Sequence, residues 1–116
     1  QVPILLNFSG SDWCIYCVKL DEEVFSKKVF QEYAADSFVG YVADFPKRKT
    51  LPEDIAEKNR DLARRYGIRG FPMILILDPK GNVVARTGYR PGGAEEYVKH
   101  LKELVADSGL ESKTDG

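Results

Sequence analysis

The chain has 116 residues, 43% of them apolar and 30% charged, with a formal net charge of −1. That is room for one domain around one core, and the near-neutral charge offers no basic field for nucleic acid. The longest apolar run, Met73 to Leu77, falls far short of the roughly 18 residues of a membrane span. No signal peptide is evident, but the chain begins at Gln1 rather than a methionine, so the compartment stays open on composition.

In chain order, Ile4 to Phe8 is short and mostly apolar and predicts a buried strand. Both cysteines follow at once, in Ser9-Gly10-Ser11-Asp12-Trp13-Cys14-Ile15-Tyr16-Cys17. Cys17, Leu20, Val24 and Phe25 then recur at helical spacing, with Lys19, Asp21 and Glu22 facing outward. Ser26 reads as a break and a new N-cap, ahead of a second short helix carrying Phe30, Tyr33 and Ala34. Phe38 to Ala43 predicts the next strand, and Lys47-Arg48-Lys49, between Pro46 and Pro52, reads as a solvated surface loop. A helix opening at Thr50 or Pro52 carries Ile55, Asn59, Leu62 and Tyr66 on one face and stops at Gly67.

The wholly apolar Met73-Ile74-Leu75-Ile76-Leu77 predicts a central strand covered on both faces. Asp78-Pro79-Lys80-Gly81-Asn82 turns it into Val83 to Arg86 as a hairpin. After the glycine-rich Gly88 to Gly93, Tyr97, Val98, Leu101, Leu104 and Val105 form the stripe of a last helix, which should fray from Asp107. The expected division is one domain over 1–107 and a flexible tail over 108–116.

A cysteine where a strand ends and a helix begins meets free backbone N–H groups and the positive end of the helix dipole, which favour a thiolate. Cys14 would therefore be nucleophilic, with Cys17 one turn on and placed to meet it. Three plainer readings stand beside this redox dithiol: an inert structural disulfide, a pair of buried thiols, or half a zinc site. The last would need two more ligands, and the only other soft candidate is His100, which reads as a solvated helix residue. Asp12 reads as a helix cap or loop residue whose charge, if close, would oppose a thiolate at Cys14.

The order β, α, β, α, β, β, α with Trp13-Cys14-Ile15-Tyr16-Cys17 at the first strand-to-helix junction resembles the thioredoxin-like superfamily, in its bacterial forms with a WCxxC site. Tyr66-Gly67-Ile68-Arg69-Gly70-Phe71-Pro72, the Asp78-Pro79-Lys80-Gly81 turn and Gly88-Tyr89 extend the resemblance from about Pro3 to Val105. It implies an α/β thioredoxin fold: a central mixed sheet, a C-terminal antiparallel hairpin and flanking helices. The implied activity is thiol–disulfide oxidoreduction, with Cys14 as nucleophile and Cys17 resolving the mixed disulfide. Pro72 would be the family's cis-proline. Trp13, Phe71, Pro72 and Tyr89 would bind the substrate segment, Phe71 through backbone pairing.

No metal or cofactor is implied. The expected partners are protein thiols and disulfides and a redox donor or acceptor protein, with the chain itself a monomer. The resemblance points to an exported, periplasmic protein, with the cytoplasm as the alternative. Three positions depart from the family. Asn7 stands where a buried aspartate is usual, with Gly40 in place of its companion lysine, so proton removal from Cys17 needs water or another base. Ile15-Tyr16 supplies no imidazolium between the cysteines. Met73 follows the proline where threonine is common. The competing reading is a client-binding module with little redox turnover.

Overall fold

The computed structural model describes residues 2–110. Four strands, β1 (Ile4–Ser9), β2 (Val39–Asp44), β3 (Met73–Leu77) and β4 (Val83–Thr87), form one sheet in the order β2-β1-β3-β4. β1 runs parallel to β2 and antiparallel to β3, and β3 runs antiparallel to β4. The sheet is therefore mixed and ends in the expected hairpin. Among the described residues the helices are α1 (Ile15–Leu20), α2 (Lys28–Ser37), α3 (Glu53–Tyr66) and α4 (Gly93–Ser108), with a π-helical turn between α1 and α2.

Side chains alternate along a strand, and β1 divides its residues accordingly. Leu5 joins Leu20, Val24, Phe30, Ile74, Tyr97 and Leu101 in a core beneath α1, α2 and α4. Leu6 and Phe8 point the other way, joining Ala43, Leu75 and Leu77 beneath Leu62 and Tyr66 of α3. Ile74, Leu75 and Ile76 are each fully buried, which is why β3 is an unbroken apolar run and not an alternating one.

The helix ends follow local chemistry. Gly67 stops α3 in the left-handed conformation at φ 66°. The hairpin turn is held by the Asp78 carboxylate, which accepts the amides of Lys80 and Asn82 at 2.9 Å each. Ser26 differs from its expected role. α1 continues into a π-helical turn, Asp21–Phe25, closed by the Ser26 amide on the Asp21 carbonyl at 2.8 Å. Ser26 thus caps the end of that turn and donates its hydroxyl to the Glu22 carbonyl at 3.1 Å, while Lys27 precedes α2 with no side-chain cap. The widened turn buries Val24 completely.

At the C-terminus α4 runs through Ser108, Gly109 caps it at φ 80°, and Leu110 packs against the core. Residues 111–116 of the expected tail lie outside the described residues.

Candidate active site

Cys14 is the N-cap of α1, and its sulfur accepts the Cys17 amide at 3.3 Å. Sequence reasoning expects this: the helix must begin after a strand exit, and its first amides lack carbonyl partners. The loop folds back so that the amides of Trp13 and Cys14 both donate to the Gly10 carbonyl, at 3.2 and 2.9 Å. Both cysteines are buried free thiols. Cys17 lies deeper, and burial together with its hydrogen bond to Cys14 pushes its thiol up to about 11. The Gly10 amide, 3.4 Å from the Cys17 sulfur, and the Ser9 hydroxyl act in the opposite direction. The arrangement is one outer sulfur at a helix start and one inner sulfur held protonated behind it.

The Phe71–Pro72 peptide bond is cis, as expected. Gly88 lies close beside it: a Cβ there would be 3.2 Å from the Pro72 carbonyl oxygen, a tight contact. Trp13 meets Phe71 edge-on at 5.8 Å, and Phe71 packs on Phe45 at 5.2 Å. Tyr89 packs against Tyr16 at a tilt, with ring centroids 5.2 Å apart, and donates its hydroxyl to Glu23 at 2.6 Å, which raises the Tyr89 phenol. Lys19 lies 5.7 Å from both tyrosine rings. Trp13 and Phe71 thus form one aromatic cluster, and Tyr16 and Tyr89 form another.

Two expectations sharpen here. Asp12 takes the loop role of the two expected for it, in the turn before α1, while Cys14 caps the helix. The Asp12 carboxylate accepts the amides of Lys47 and Arg48 at 2.9 Å each, and these bonds, that of Lys47 first, hold it below the usual range. His100 is not simply solvated. It hydrogen-bonds Thr87 at 2.7 Å and Arg90 at 2.9 Å, and burial followed by the Arg90 charge lowers its basicity. Among the described residues, no group of three His, Cys, Asp or Glu side chains could hold a metal ion.

The loop of Lys47 to Lys49 is also more than a solvated charge run. Lys47 sits over the Trp13 ring at 3.9 Å, and Trp13 Nε1 donates to the Phe45 carbonyl at 2.7 Å. Ser11 is bound to Asp44 through both its amide and its hydroxyl, at 3.0 and 2.6 Å. Nothing in the spacing of these residues joins positions more than thirty apart. Ser9 was also missed, although its place at the end of β1, on the face of Leu5 and Asn7, was readable from the alternation.

Residues 1–104 match the family model described as a thioredoxin-like domain. The chain belongs to this family. The disulfide bond reductase DsbH of Chlamydia pneumoniae is 36% identical over 103 residues, 89% of this chain and 62% of that protein. The thioredoxin-like chain therefore spans a little under two thirds of that curated relative. The solved structure of a DsbH oxidoreductase is 34% identical and superimposes with a TM-score of 0.87 over 91% of this chain and 74% of the other. A thioredoxin from Thermus thermophilus, 24% identical, shares the fold over 93% of this chain and 77% of its own, with a TM-score of 0.64.

Proposed function

We propose that this domain is a thiol–disulfide oxidoreductase acting on protein disulfides, with Cys14 as nucleophile and Cys17 as resolving thiol. The observation that carries the reading is the asymmetry of the pair. Cys14 is at the helix start with an amide aimed at its sulfur, while Cys17 is buried behind it and held protonated. Attack of the Cys14 thiolate on a client disulfide forms the Cys14–client bond and expels the other client sulfur as thiolate. Cys17 then attacks Cys14, forms the intramolecular disulfide and releases the second client thiolate. The client thereby gains two electrons, which a separate donor must return to the pair.

Trp13, Phe71, Pro72 and Tyr89 are proposed as the client-binding surface, with the Phe71 backbone pairing to an extended segment. Ile15 and Tyr16 extend that surface, being 70% and 54% exposed. Two neighbouring exposed apolar side chains beside a reactive sulfur favour loops and unfolded segments as clients. The name of the DsbH relative, a disulfide bond reductase, supports the reducing direction. An exported, periplasmic setting fits a reductase of protein disulfides, since disulfides persist there.

Replacing Cys17 by Ser tests the reading. Client proteins should be trapped as mixed disulfides on Cys14, released by excess thiol, and absent when Cys14 is also replaced. A protein that retains its clients but traps none covalently is the client-binding module instead, and the exchange reading fails.

A further inference from the structure

Tyr16 and Lys19 of α1 and Glu23 of the π turn all meet one residue, Tyr89, so they share a face. Of the consecutive acids Asp21, Glu22 and Glu23, the first two are exposed and only Glu23 is half-buried. Its carboxylate accepts the Tyr89 hydroxyl at 2.6 Å, across 66 positions of sequence. A short hydrogen bond to an ionised acceptor is one of the stronger kinds. The Tyr89 ring lies 5.2 Å from the Tyr16 ring at 49°, and the Lys19 ammonium lies 5.7 Å from both. Gly88, just before Tyr89, accepts the Tyr97 hydroxyl on its carbonyl at 2.7 Å, so the loop is tied at its base as well as its tip. The Tyr89 ring also packs against the core beneath α1, α2 and α4. That packing keeps Tyr89 near α1 unaided. What the Glu23 bond adds is the direction in which the ring faces.

We propose that Glu23 is a positioning residue for client binding. It fixes Tyr16 and Tyr89 as an aromatic wall beside the dithiol, and this wall selects client segments with an aromatic residue next to the disulfide cysteine. The inference rests on the client surface and the dithiol chemistry proposed above. Tyr16 stands between Cys14 and Cys17 and is 54% exposed, so a client cysteine bonded to Cys14 brings its neighbouring residue within reach of the pair. Because Glu23 takes the Tyr89 hydroxyl, the polar tip of Tyr89 is turned to the π turn and ring carbon is left to the client. An aromatic side chain gains from edge or offset contact with such rings, and a small polar one does not. Lys19 adds a cation at the border of the wall that an incoming ring can also meet. Glu23 thus acts on which client is held, and the exchange at the sulfurs is left to the cysteines.

Two peptides closed by one disulfide, alike except for phenylalanine or serine beside the cysteine, test the proposal. Reduced protein is mixed with excess peptide and followed by Trp13 fluorescence, which separates the half-saturating concentration from the limiting rate. The phenylalanine peptide should be favoured by roughly two- to tenfold, the range of one aromatic pair, and in the half-saturating concentration. Glu23→Ala should bring that ratio toward one, and Glu23→Gln, which keeps an acceptor, should retain part of it. Tyr89→Phe removes the hydroxyl alone and should match Glu23→Ala, with the double variant falling no further than either single one. Both peptides slowed alike in Glu23→Ala, with the ratio kept, is the mark of a merely structural role and would overturn the proposal. So would an unaltered protein that does not distinguish the two peptides. Failure of the unaltered protein to reduce either peptide would instead overturn the dithiol reading beneath it.

Discussion

Trp13 donates its indole N–H to the carbonyl of Phe45 at 2.7 Å, so the residue before the nucleophile is fixed from across the molecule. Asp12 and Ser11 fasten the same two loops through Lys47, Arg48 and Asp44. The aromatic residue beside Cys14 is thereby held in place, and for the client-binding surface proposed above such preorganisation lowers the ordering cost of binding.

Asp12→Ala should loosen this clasp. The amides of Lys47 and Arg48 lose their acceptor, and their hydrogen exchange should accelerate while that of β3 stays slow. The pH dependence has a definite sign. The Asp12 carboxyl is lowered from 3.8, first by the Lys47 amide, so its contribution is present above that value and lost as pH falls through the lower folded one. Acid titration of the Lys47 and Arg48 amide resonances measures it, and Asp12→Ala should abolish the transition.

Gly10→Ala should displace Trp13. A Cβ at this position would come within 2.4 Å of the indole ring. The ring must move, at an overpacking cost of about 1–3 kcal/mol. Shifted tryptophan fluorescence and a lower denaturant midpoint are the expected readouts.

The two thiols should alkylate in sequence. At neutral pH iodoacetamide should modify Cys14 alone, giving a single adduct by mass spectrometry. Cys17, raised from 9.0 to about 11 chiefly by burial, should resist until strongly alkaline pH. Because the folded value is the higher one, its stabilising contribution is complete below pH 9 and is lost as pH rises toward 11. Reduced protein should therefore lose stability in that window, and oxidised protein, lacking the thiol, should lose less.

Asn59→Leu should destabilise the fold by about 1–3 kcal/mol, because it removes a buried amide and strands its two half-buried polar partners. Asn59 is only 1% exposed, accepts the Tyr41 hydroxyl at 2.7 Å and donates to the Asp44 carbonyl at 3.0 Å. The bonds tie α3 to the end of β2, where the clasp begins. Urea denaturation of the variant checks the figure.

Much of this architecture was legible because it is local and periodic. The apolar run of β3, the stripe of Tyr97 to Val105 and the glycine after Tyr66 each carry their own signal in neighbouring residues. So does the position of Cys14 at a helix start. The roles of Asp12, Lys47 and His100 were not legible, since each is decided by a partner distant in sequence. Ser26 misled for a different reason. Its hydroxyl does bond a nearby carbonyl, but at the close of a π turn rather than the opening of a helix. Asn7 and Gly40 were visible as departures from the family, yet only the packing of α1 and α2 turns the pair into an open cavity.

The central claim is that Cys14 and Cys17 form a reversible redox pair. Equilibration of the protein against a graded thiol–disulfide buffer, read by Trp13 fluorescence, measures its reduction potential. A single reversible two-electron transition near about −270 mV, the thioredoxin range, is the predicted result and makes the domain a reductant. A value near about −120 to −180 mV would contradict the reducing direction and make it a disulfide donor. Failure to form the disulfide in any buffer would contradict the redox function altogether.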